Sequence, residues 1–77
     1  MIEYIERESK RNKINKELIS ELKKISNDIE FIYGVLLYAE HEEDRKSLLE
    51  YIKKGEEVNF EQIILTSLWL SQQRENL

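Results

Sequence analysis

At 77 residues, with 12 basic and 16 acidic side chains for a net charge of −4, the chain has length for one domain and no overall positive field to draw it to nucleic acid. It has no cysteine, which excludes disulfide staples and thiolate metal sites, and no apolar run near the roughly 18 residues that a membrane span needs. A hydrophobic share of 40% beside 36% charged residues, with two glycines and no proline, excludes a disordered chain and points to a helix-rich globular one.

A monomer this small buries only about 60% of the surface its unfolded chain exposes, so association is expected to complete the fold. The start, MIEYIERESKR, lacks the basic head and apolar centre of a signal peptide, and a cytoplasmic location is expected. Charge is unevenly spread: residues 1–24 carry a net +2 and residues 25–77 a net −6. Such an asymmetry suits head-to-tail or antiparallel docking, or is simply two solvated faces.

Residues 1–12 are weakly helical. Glu3/Arg7 and Glu6/Lys10 are acid-to-base pairs four apart, but Glu8 and Arg11 fall in the phase where apolar residues belong. The segment is therefore expected as a frayed or mobile arm or a short separate turn, with Ser9 or Asn12 as caps.

From Asn15 an alternation of threes and fours runs through Leu18, Leu22, Ile25, Ile29, Ile32, Leu36 and Ala39. This spacing predicts one long helix over about 13–40, with Leu18, Leu22, Ile25, Ile29, Ile32 and Leu36 as a self-association seam. Asn15 itself reads as a cap or as a buried polar residue fixing register. Residues 31–39 are apolar almost all round, which places the core there. A strand over 31–39 is the rival, because Ile, Val, Phe and Tyr favour strands and Gly34 weakens a helix. Gly34 lies off the seam, where a missing side chain suits a close neighbour.

The acidic run Glu40, Glu42, Glu43 and Asp44 around His41 ends the long helix. Asp44 is expected to cap a second helix over about 45–54, carrying Leu48, Leu49, Tyr51 and Ile52 on one face, Lys53 and Lys54 at its end and Gly55 just beyond. Asn59 with Gln62 reads as a capping box opening a third helix over about 60–74. Phe60, Ile64 and Leu68 share a face expected to point inward, which turns Leu65 and Trp69 outward as a candidate partner surface.

Chemistry is sparse. His41 and its acidic neighbours share no helix face and no metal-loop spacing, the serines lack a nucleophile context, and two isolated glycines make no phosphate loop. No catalytic, cofactor-binding or metal-binding residue is assigned, and a non-enzymatic protein without cofactor is expected. The pattern helix, Gly-containing turn, helix over 45–74 resembles a helix-turn-helix only loosely, since the recognition position offers Gln62, Gln72, Gln73 and Arg74 behind an acidic turn. A nucleic-acid role would rest on the basic arm of Arg7, Lys10, Arg11, Lys13 and Lys16.

The expectation is a single all-α domain, 1–77, of one long and two shorter helices, a helical bundle completed by oligomerisation with itself. Its expected function is protein–protein interaction, as an adaptor, inhibitor or immunity- or antitoxin-like binder that docks an apolar helical surface on a partner protein. The alternative is a small nucleic-acid-associated regulator acting through the basic arm; no membrane role is expected.

Overall fold

Where the spacing predicts one rod over 13–40, the chain leaves the helix at Ser26, Asn27 and Asp28. The computed structural model describes residues 1–54 and 59–75, and among them lie five helices instead of three: α1 (Ile2–Arg11), α2 (Lys13–Ile25), α3 (Ile29–Tyr38), α4 (Glu42–Lys53) and α5 (Phe60–Glu75). No strand occurs among the described residues, and 31–39 is helical up to Tyr38. A straight helix over the 28 residues of 13–40 would be about 42 Å long at the α-helical rise. The longest extent of the molecule is 30 Å, so the rod has to fold up.

Short polar side chains make both early breaks. Asn12 is extended, at φ −163° and ψ 173°, and its Oδ1 accepts from the Asn15 backbone N–H at 2.8 Å, closing α1 and capping α2 in one residue. Asn15 is therefore not the cap. At the second break Ser26 is extended, at φ −156° and ψ 136°. The Asp28 N–H donates to Ser26 Oγ at 3.1 Å, and Asp28 Oδ1 accepts from the Glu30 N–H at 3.0 Å. Side-chain bonds of this type offer the backbone an alternative to the helical ladder. The three-four phase crosses the break because Ile25 and Ile29 happen to stand four apart.

The consequence is a core closed within one chain. Leu18 and Leu22 of α2, Ile32 and Leu36 of α3, Leu48 of α4 and Ile63 of α5 have no accessible surface, and Ile5 of α1 is buried with them. Ile25 and Ile29, on either side of the break, pack partly buried against this cluster. All six side chains read as a self-association seam thus belong to the intramolecular core, and burying each is worth roughly 1.5–3 kcal/mol to the single chain. The first twelve residues, expected as a frayed arm or a short turn, contain a docked helix: α1 packs on α2 and α3 and buries Ile5 and Glu8.

Two further local expectations change. A Cβ built on Gly34 meets nothing within 4 Å, so the glycine admits no close neighbour. The second expected helix starts three residues early, at Glu42, with His41 in the N-cap position making no side-chain cap bond and Asp44 inside the first turn. Three acids there, Glu42, Glu43 and Asp44, suit the positive end of the helix dipole.

The last helix begins as its capping residue predicts, Asn59 Oδ1 accepting from the Gln62 N–H at 3.0 Å. Its inward face is centred on Ile63 and Ser67, both without accessible surface, while Ile64 and Leu68, expected innermost, are only half-buried. Ser67 satisfies its hydroxyl on its own helix, against the Ile63 and Ile64 carbonyls at 2.9 and 3.0 Å. The expected stop at Gly55, the connection through Val58 and the inward side chain of Phe60 lie outside the described residues. No helix among the described residues is long and apolar enough to cross a membrane.

Candidate interaction surface

Before a surface can bind anything its scaffold has to be held, and here a buried arginine holds it. Arg45, in the first turns of α4, has a side chain only 1% exposed. Its Nη1 donates to Glu8 Oε1 at 2.6 Å and its Nη2 to the Tyr4 hydroxyl at 3.2 Å, both on α1. Nη2 and Nε also reach the Leu36 and Ala39 carbonyls, at 3.1 and 2.7 Å. Those carbonyls end α3 and have no helical partner beyond them, so the guanidinium caps one helix while fastening another. The Arg45 hydrogen bond holds the Glu8 carboxyl below the usual carboxylate range, with the charges of Arg45, Arg11 and Arg7 adding to it and burial opposing it. Around the knot, Tyr4 meets Tyr33 edge-on with ring centroids 5.4 Å apart, and Arg7 sits 5.6 Å over the Tyr4 ring.

Residue Asn15, wholly buried beside this knot, donates from Nδ2 to Glu42 Oε1 at 3.4 Å; Asn12 donates to the other oxygen at 3.0 Å. At the far end of α4's first turn, Arg74 of α5 bonds Asp44 at 2.8 Å and Glu43 at 3.3 Å. Those two acids raise the Arg74 guanidinium above its ordinary value. The acidic junction is thus divided among structural partners, with His41 and Glu40 exposed to solvent. Among the described residues no three His, Asp or Glu side chains converge as metal ligands would.

The basic residues are also dispersed by the fold. Arg7 lies over Tyr4, and Arg11 pairs with Glu8 at 3.5 Å. Lys10, Lys13 and Lys16 instead line one groove of about 580 Å³ at the α1–α2 joint, with Ser9 and Asn12.

Held by buried Ile63 and, at its C-terminal end, by Arg74, α5 presents its outward face to solvent. Counting 100° per residue, Leu65 points away from the buried side of Ser67 and Arg74, and Trp69 stands one turn along from it. Leu65, at 63% exposed, has the highest value among the large apolar side chains of the described residues, and Trp69, at 57%, equals Met1 and Ile2. With Thr66, Leu68 and Gln72, Leu65 and Trp69 line a shallow depression of about 440 Å³. Two further apolar pairs are exposed: Met1 with Ile2 at the start of α1, and Leu37 with Tyr38 at the end of α3, beside His41 and Arg74. Of the residues read from the sequence as functional, Leu65 and Trp69 are the ones brought side by side on a rigid, outward surface.

Comparison of the chain with protein-family models, with curated proteins and with solved structures found no match in any of the three.

Proposed function

We propose that this protein is a non-catalytic helical interaction module that docks another polypeptide on the outward face of α5. The observation that carries the reading is the paired exposure of Leu65 and Trp69 on a helix whose opposite face is locked by Ile63, Ser67 and Arg74. An exposed Trp is among the side chains that contribute most to binding, and a fixed backbone removes the ordering cost that weakens mobile binding segments. The remaining apolar residues of the chain are mostly committed to its core, which leaves this pair without an internal use.

The test is a photo-crosslinking side chain placed in the surface. Leu65→p-benzoylphenylalanine, expressed in the native host, is expected to capture one discrete polypeptide, while the same substitution at exposed Lys46 of α4 captures none. Equal, diffuse labelling from both positions refutes the reading. A second reading rests on Lys10, Lys13 and Lys16 gathered around one groove, which supports a phosphate-binding arm. Retention on single- or double-stranded nucleic acid that falls with salt and with Lys13→Glu is its expected signature.

A further inference from the structure

The outward face of α5 is close to symmetric about its own midpoint. Gln62, Leu65, Trp69 and Gln72 are spaced three, four and three apart, so that they fall within about 80° of one another on the helix surface. Read from either end, the row is polar, apolar, apolar, polar, with its centre at residue 67. Such a row matches itself when a second copy is turned end for end. Leu65 then meets the second copy's Trp69, and Gln62 meets its Gln72, where each amide can give and take a hydrogen bond.

Charge agrees with this arrangement. In a chain 36% charged, α5 has only Glu61, Arg74 and Glu75 among its sixteen residues, and Arg74 is engaged with Asp44 and Glu43. The row itself carries no charge. A contact around a two-fold axis sets like groups close to like, which an uncharged strip tolerates. Side-by-side parallel pairing would oppose Glu61 to its own copy and align the two helix dipoles. Antiparallel pairing sets Glu61 against Gln73 and opposes the dipoles. From these observations we infer that the occupant of the α5 face is a second copy of this chain, paired antiparallel about a dyad near residue 67. The inference rests on the interaction reading above and names its partner.

The contact is small. Trp69 at 57% exposed offers on the order of 100–150 Å² and the rest of the row a few hundred more, well under the roughly 800 Å² per partner of a standard interface. A weak, reversible dimer follows, monomeric at low concentration.

The absence of cysteine makes the geometry directly testable. Sedimentation equilibrium from 5 µM to 1 mM is expected to show the mass doubling, together with a blue shift of the single tryptophan's emission. Leu65→Glu, on an exposed position, keeps its helical circular dichroism and stays monomeric. In the dimer range, an oxidised mixture of the single variants Gln62→Cys and Gln72→Cys gives the mixed disulfide in at least tenfold excess over either homodimer. Homodimeric disulfides in excess overturn the antiparallel dyad, and a wild-type monomer at 1 mM overturns self-pairing altogether. If that monomer is nevertheless crosslinked from position 65 to one foreign polypeptide, the inference fails and the interaction reading stands; if position 65 captures nothing, both fail.

Discussion

Severing the Arg45–Glu8 contact should cost this domain a large part of its stability, and the loss should be shared between the two residues. A chain of 77 residues is held by roughly 4–11 kcal/mol in all, at about 0.05–0.15 kcal/mol per residue. Arg45→Met keeps the apolar stem and removes four hydrogen bonds, leaving a buried carboxylate and two buried carbonyls without their donor. Breaking a buried pair from one side costs about 3–5 kcal/mol, so this variant should lose a large share of that total. Glu8→Leu leaves the guanidinium with Tyr4, the two carbonyls and the Glu42 carboxylate at 3.9 Å, and about 2–3 kcal/mol is expected. With both residues replaced, no buried charge is left unpaired, though the Leu36 and Ala39 carbonyls still lack a donor. The double variant should therefore be less damaged than the sum of the singles by about 2 kcal/mol or more. Urea unfolding followed by circular dichroism, with the slope checked for constancy, measures all four corners of the cycle. A coupling below about 0.5 kcal/mol, or an Arg45→Met variant within 1 kcal/mol of wild type, would show that Arg45 is not the fastening described.

Two other outcomes are expected. Gly34→Ala should stabilise the protein by about 0.5–1 kcal/mol and raise Tm by several degrees in calorimetry, since a methyl group there meets open space and helix propensity improves; a lowered Tm would refute it. Because folding lowers the Glu8 pKa, the unfolded chain binds more protons as the pH drops past the ordinary Glu value of about 4.3. Stability from this group is present above that value and lost as the pH falls through the folded one. Thermal melts from pH 7 to pH 3 should show wild type falling more steeply than Glu8→Gln below about pH 4.5, and parallel curves would contradict the assignment.

How far these features were legible from residues differs from element to element. The outward pair on α5 was visible because its helix is apolar on opposite sides, and no single core can take up both. The fault in the expected rod lies at Ser26, Asn27 and Asp28, three consecutive residues whose short side chains compete for backbone bonds, which the unbroken three-four phase obscured. With the rod went the oligomeric seam, whose residues line an intramolecular core instead. Arg45 also left a trace. It stands three, four and seven residues before Leu48, Leu49 and Ile52, in the buried phase of α4, just as Glu8 stands in the buried phase of α1. Two opposite charges at two apolar positions are a pairing signal, but the separation of 37 residues between them is not encoded in any local pattern. The division of the acidic run between Asn12, Asn15 and Arg74 was hidden for the same reason.

The order in which the chain is made gives that separation a further meaning. Tyr4 and Glu8 are made before their partner Arg45, which lies 41 and 37 positions later. At the roughly 5–20 residues per second of translation, α1 is complete for some seconds before Arg45 exists to receive it. Helix α1 can settle against α2 and α3 as they form, but its polar knot closes only once Arg45 has been made. The apolar contacts of α1 can therefore form ahead of the charged one that fastens it.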